Sequence, residues 1–403
     1  MIRIIAALSF CGCLFLGYES ARLALADFFA HQGSRAAISR AVTITPTNPD
    51  YYVTLSELDP PSAASALDRA AALSPANSSL WLAVAATSET YGDFSKAESA
   101  LLHAIRLDRT FAPRWSLAQF YFRRRDNEKF WPAVKAALTA SYDDASPLFD
   151  LCWTRSPDPL VILERAIPER PAVLRQYFDF LIARDQLDAA DAVAGRLLKR
   201  SGPDMLPSML AYDDRLLQKD DVERALRVWN ALAGKHLIDY PSLDPAVGLS
   251  LTNGLLAKPF LGRGFDWRLY PQPGIYLRRT LSPALVRFDF SGSQLEFCEL
   301  LTQFVPVSPR RQYRLAVRYS TDNLSGTTGL AWSALAPSGG TDLLAGAGRV
   351  AATDRRGQSA EYSFSTPPQT RLVRLVLAYR RASGTVRIEG SLSVSQVDLR
   401  LQP

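Results

Sequence analysis

Two patterns of apolar residues divide the chain. Over the first part they recur at helical spacing; over the last part they fall at every second position. Trp81 opens one helical pattern, followed by Gly92-Asp93-Phe94, Ala97, Leu101 and Ala104; Trp115, 34 residues later, opens the same pattern again. Small residues such as Ala97 and Ala104 let a second helix approach a first, and the large residue fills the space between neighbouring pairs. The frame extends both ways, through Ala63, Leu67, Ala70 and Pro75 upstream and through Leu174, Leu181, Leu187 and Ala190, then Met209, Leu216, Val222 and Trp229 downstream. Pro75 stands six residues before Trp81, Pro46 six before Tyr52, and Arg109 six before Trp115. Pro60-Pro61 forces a turn that shortens the Tyr52 unit. Between Ser141 and Pro171 the pattern degrades among four prolines. The spacing predicts about six helical hairpins, at least one of them irregular.

Helical alanine spacing stops near Tyr240-Pro241. Gly262, Gly264, Pro271, Pro273 and Gly274 announce turns, and alternation follows in Val286/Phe288/Phe290, Tyr313/Leu315/Val317/Tyr319 and Val373/Leu375/Leu377/Tyr379. After Val394 the apolar phase slips to Val397, Leu399 and Leu401, which predicts a bulge. Eight to ten such strands in about 150 residues predict antiparallel sheets with one face buried, hence a β-sandwich of jelly-roll type. The expected fold is multidomain α + β: a segment 1–20, an α-solenoid over 21–245, and a sandwich over 246–403.

The N-terminus carries Arg3, then an uncharged run from Ile4 to Tyr18 ended by Glu19 and Arg22. This layout is that of a signal anchor or a secretory signal, with Ala24-Leu25-Ala26 as a cleavage site. It predicts contact with the inner membrane through this segment and the bulk of the chain in the periplasm, or export after cleavage. A length of 403 residues implies two or three domains, and the +6 formal charge is spread too thinly for nucleic-acid binding. A mildly basic surface suits acidic polysaccharide or anionic lipid equally. Four cysteines are too few for a disulfide scaffold; Cys152 and Cys298 read as buried thiols, although a bridge between them stays open.

The 34-residue pattern resembles the tetratricopeptide (TPR) repeat over a little more than half the chain. The resemblance implies a protein or peptide partner along the face lined by the first helix of each hairpin, where Glu89, Phe120, Arg123, Arg175 and Asp179 fall. The Asn and Lys clamp that family members use on a partner's C-terminal carboxylate is not visible. Over 250–403, the string Phe265-Asp266-Trp267, the strand around Phe288 and Phe290 and the step Gly329-Leu330-Ala331-Trp332 resemble carbohydrate-binding-module sandwiches. That resemblance implies sugar rings stacked on exposed aromatics beside polar side chains. The candidates are Trp267, Tyr270, Tyr276 and Trp332, with Arg278 and Arg318 as polar partners. A core position is the competing reading for each aromatic.

No G-x-S-x-G, H-E-x-x-H, P-loop or complete G-x-G-x-x-G occurs, and no cluster with metal-ligand spacing is visible. The expectation is a non-enzymatic envelope scaffold without cofactor. Its helical array would hold a protein and its sandwich would meet a glycan, in a setting such as bacterial surface polysaccharide assembly or export. The alternatives are an assembly factor whose sandwich docks protein and binds no sugar, and a glycan-active enzyme built on paired carboxylates.

Overall fold

The structure is a computed structural model that describes residues 2–200, 202–324, 328–336, 340–352 and 357–402. Two compact units emerge, Met1–Phe180 and Leu181–Pro403. Fourteen helices precede the strands among the described residues.

The first unit holds α1 (Ile2–Ala30), α2 (Arg35–Ile44), α3 (Pro49–Leu58), α4 (Ala63–Leu73), α5 (Ser78–Thr90), α6 (Phe94–Leu107), α7 (Phe111–Arg124), α8 (Asn127–Ala140), α9 (Ser146–Arg155) and α10 (Pro159–Arg165). Helix α11 (Pro171–Ala183) runs across the division. Successive helices pair as the periodicity predicts, α5 with α6 and α7 with α8. Each second helix starts on an aspartate: Asp93 accepts from the Lys96 N–H at 3.0 Å and Asp126 from the Lys129 N–H at 3.1 Å. These caps satisfy N–H groups that the first turn leaves unpaired. Pro60–Ser62 forms a short 3-10 turn that ends α3 early, as the diproline requires.

The six-residue offset in the repeat has a hydrogen-bond origin. Trp81 Nε1 donates to the Pro75 carbonyl at 2.9 Å, and the Tyr52 hydroxyl donates to the Pro46 carbonyl at 3.1 Å. Each aromatic is thus pinned to the loop that precedes its helix. Trp81 and Trp115 are half-buried rather than enclosed; Trp81 packs on His103 at 4.3 Å between ring centres. The irregular stretch after Ser141 becomes two short helices, α9 and α10, each begun by a proline in its first turn.

Among the described residues, helix α1 packs through its C-terminal end. Ala26 joins Ile38, Ala41 and Tyr51 in a small core, and the Tyr51 hydroxyl donates to Asp27. Phe10, Leu14, Phe15, Leu16 and Tyr18 are exposed. Residue 1 and the side chains of 2–9, Arg3 among them, lie outside the described ones. Among the described residues no helix is long and apolar enough to cross a membrane, so the structure gives the expected anchor no support.

The second unit continues with α12 (Leu187–Arg200), α13 (Leu206–Gln218) and α14 (Val222–Gly234). The strands follow: β1 (Arg268–Leu269), β2 (Ile275–Leu281), β3 (Ala284–Ser291), β4 (Phe297–Pro306), β5 (Gln312–Asp322), β6 (Leu330–Leu335), β7 (Gln358–Ser365), β8 (Leu372–Arg380) and β9 (Glu389–Leu401). They form two antiparallel sheets, one in the order β1-β4-β8-β6 and the other β2-β3-β9-β5-β7. Between them lies one apolar core containing Trp267, Phe288, Phe290, Tyr313, Trp332 and Tyr379. The expected bulge is present. Arg318 pairs with Gln396 and Tyr319 with Val394, which leaves Ser395 as the extra residue on β9. The phase slip in the sequence is that one residue.

Helices α13 and α14 are built into the same unit as the sheets. Asp214 accepts from the Gly264 N–H at 2.7 Å and pairs with Arg268 at 2.6 Å. Trp229 meets Phe265 edge-on at 5.8 Å and Tyr240 at 5.7 Å. Gly264 has φ +57, and a Cβ there would lie 2.6 Å from Asp213 Oδ2 and 2.7 Å from the Trp229 ring. Only glycine allows both the backbone geometry and the close approach. The string Phe265-Asp266-Trp267 is therefore a structural joint. Cys152 and Cys298 are buried free thiols, the first pushed up to about 12 by burial.

Candidate functional site

Two surfaces carry the residues that sequence reasoning singled out. On the first unit, Glu89 of α5 and Arg123 of α7 occupy the same repeat position, 34 residues apart. The guanidinium meets the carboxylate through two hydrogen bonds of 2.7 Å. The arginine is thus already engaged, and the pair laces one first helix to the next. A second lace joins Glu98 to Lys129 at 2.7 Å and to the Tyr121 hydroxyl at 2.7 Å. The hydrogen bonds from Lys129 and then Tyr121 hold the Glu98 carboxyl below its usual range. Phe120 is a correction: it is buried, packed edge-on to Tyr121 at 5.5 Å, because its position on α7 faces the neighbouring helices. It cannot line a peptide groove. Arg175 is half-buried and Asp179 exposed on α11, each with partners in the fold.

On the second unit, the six residues expected at a glycan site separate into three groups. Trp267 is 0% exposed and Trp332 is 1% exposed. They meet each other edge-on at 6.3 Å in the core between the sheets, and Trp267 Nε1 donates to the Asn253 carbonyl at 3.2 Å. Both belong to the inward phase of their segments, so neither can stack on a sugar. Tyr270, 37% exposed, lies just past β1 at the edge of the four-stranded sheet. Tyr276, Arg278 and Arg318 share the outer face of the five-stranded sheet. Tyr276 is 70% exposed on edge strand β2, with Arg278 two residues on. Arg318 sits three strands away, about 14 Å at the usual strand spacing.

Residues that the sequence did not single out complete this face. Asp289 takes Arg278 at 2.8 Å and Arg287 at 2.7 Å. Burial works to raise the Asp289 carboxyl, but the hydrogen bonds from Arg278 and Arg287 prevail and hold it below the usual range. Farther across, a cleft of about 370 Å³ is lined by Arg314, Arg318, Glu361, Gln396, Asp398 and Arg400, with other residues of β5, β7 and β9. The signal available in the sequence was the polar phase of each strand: Arg287/Asp289, Arg314/Arg318 and Gln396/Asp398/Arg400. What the sequence does not carry is strand order, which alone sets β9 between β3 and β5 and brings these phases together.

The chain is an array of helical hairpins with a TPR-like 34-residue period, followed by two antiparallel sheets packed as a sandwich. No family model and no curated protein matches the sequence. Among solved structures, the one described as "CBM4 structure and function" aligns over 38% of this chain and 100% of its own, at 12% identity and a TM-score of 0.30. The TPR protein YrrB, described as having an unusual peptide-binding site, aligns over 50% of this chain and 93% of its own, at 12% identity and a TM-score of 0.25. PilF of Pseudomonas aeruginosa aligns over 54% and 94%, at 13% identity and 0.25. Scores this low carry no argument about ligand or fold; the architecture rests on the hairpins and paired sheets themselves.

Proposed function

We propose that this chain is a non-enzymatic binding protein in which the helical array holds a protein partner and the outer face of the five-stranded sheet meets a glycan. The observation that carries the reading is the face itself. Tyr276 stands exposed beside a guanidinium, Arg278, that Asp289 holds in place. An exposed ring next to a fixed donor is what a sugar needs, one surface to stack on and one group to bond a hydroxyl. The rest of the face offers further donors and acceptors and few apolar side chains, which suits a hydroxylated ligand better than an apolar protein interface.

The test is a glycan panel titrated against the full chain, with Tyr276→Ala and Arg278→Ala as variants. Binding that falls at least tenfold in either variant, with the unfolding midpoint unchanged, supports the reading. A sandwich that binds no glycan but captures protein points to the assembly-factor alternative. A location outside the cytoplasm, in bacterial surface polysaccharide assembly or export, goes with this reading and rests on the apolar N-terminal run of the sequence. A phosphatase fused after residue 245 should be active outside the cytoplasm; activity confined inside the cell would remove that part of the proposal.

A further inference from the structure

Resting on the glycan reading of this face, we infer that the cleft across β7, β5 and β9 receives an acidic sugar, a hexuronate residue of a polysaccharide, through Arg318. Three cross-strand rows make its floor. Ser359, Arg318 and Gln396 stand side by side, then Glu361, Ala316 and Asp398, then Ser363, Arg314 and Arg400. Glu361 pairs with Arg314 at 3.4 Å and Asp398 with Arg400 at 2.6 Å. Arg318 is exposed, and among the described residues no carboxylate lies within ion-pair distance of its guanidinium. Two carboxylates thus answer two of the three guanidiniums and leave one positive charge open, in a space of about 370 Å³. That volume is at the low end of small-ligand sites.

The geometry around Arg318 favours a sugar acid. The extra residue of the bulge, Ser395, adjoins the pairing of Arg318 with Gln396, and its hydroxyl donates to the Arg318 carbonyl at 3.2 Å. A bulge re-aims the side chains beside it. A free guanidinium takes a planar carboxylate through two parallel hydrogen bonds, and the neighbouring Ser359 and Gln396 can bond ring hydroxyls. No aromatic lines the cleft, so stacking supplies nothing there and charge must supply the selectivity. An extended acidic peptide would add to this sheet as a strand only along its edge, β7; β5 and β9, which carry Arg318 and Gln396, are each paired on both sides, so their backbones have nothing left to offer.

The experiment titrates the full chain with oligogalacturonate, with neutral xylo- and cello-oligosaccharides of equal length, and with poly-glutamate. The expected result is uronate binding at least tenfold tighter than neutral binding, weakened by salt. Arg318→Ala and Arg318→Gln should each lower it at least tenfold with the unfolding midpoint unchanged. Neutral oligosaccharide bound as tightly as uronate, or uronate binding untouched by both variants, overturns the inference while the glycan reading of the face survives. Poly-glutamate bound as tightly as uronate overturns it in favour of a peptide. If no glycan binds at all, the inference and the reading beneath it fall together.

Discussion

Asp213 lies wholly inside the protein, and among the described residues neither of its carboxyl oxygens has a hydrogen-bond partner. Burial first, and the neighbouring Asp214 second, push its carboxyl well above the ordinary value, with Arg268 pulling the other way. Asp266, also fully buried, is raised to about 6 by desolvation, against hydrogen bonds from the Leu261 and Trp267 backbone. Both groups keep a proton in the folded state that the unfolded chain releases above about pH 4. Their contribution to stability is therefore greatest below that point and is lost as pH rises, for Asp266 by about pH 6 and for Asp213 later. Asp213→Asn keeps the shape without the ionisation. Its unfolding midpoint should match wild type near pH 4 and exceed it increasingly toward pH 8. A constant difference across that range would show that Asp213 is not held protonated. At this scale the sequence was least informative, because Asp213 and Asp214 are adjacent and identical in kind. One is enclosed beside Gly264 and the other bonds Arg268, and only the chain's return fifty residues later separates them.

At the scale of single elements, what was legible is what repeats locally. The 34-residue spacing and the proline-to-aromatic offset each reflect a contact made again in successive units, at Tyr52 and at Trp81, so a linear pattern can carry them. The bulge on β9 was legible for a similar reason: a one-residue slip changes which face every later side chain meets. Exposure was not legible. Trp267 and Trp332 have the alternation of strand residues, and alternation says that two faces exist without saying which is buried. The lace between Glu89 and Arg123 belongs to this scale as well. Its geometry is bidentate, but the arginine side chain is 51% exposed, so solvent screens the charge. A double-mutant cycle with Glu89→Ala and Arg123→Ala should give a coupling of about 0.5 kcal/mol. A coupling above about 2 kcal/mol would mean that the pair is much better shielded than its exposure implies.

For the whole molecule, composition and compactness divide the chain at different places. Helical alanine spacing ends near Tyr240, yet the second compact unit begins at Leu181, so α12, α13 and α14 belong to the same compact unit as the sheets. The cause lies in the joint. Phe265, fully buried, has Trp229 of α14 against it. The Gly264 N–H and the Arg268 guanidinium both find their acceptor on Asp214 of α13. Cutting the chain at the change of composition removes all of these partners at once. A fragment 246–403 would expose Phe265 and leave Arg268 and the Gly264 N–H without Asp214. An uncovered aromatic costs about 3 kcal/mol, and a lost charge-assisted hydrogen bond about 1.5 kcal/mol. For a unit of this size that sum lowers the unfolding midpoint by roughly 10 °C. Fragment 181–403 keeps both helices and should unfold in one transition at the higher temperature. Equal midpoints for the two fragments would show that the hairpin and the sheets are independent. The joint would then be a contact without energetic weight, and glycan binding could be studied on the shorter piece as well as on the longer.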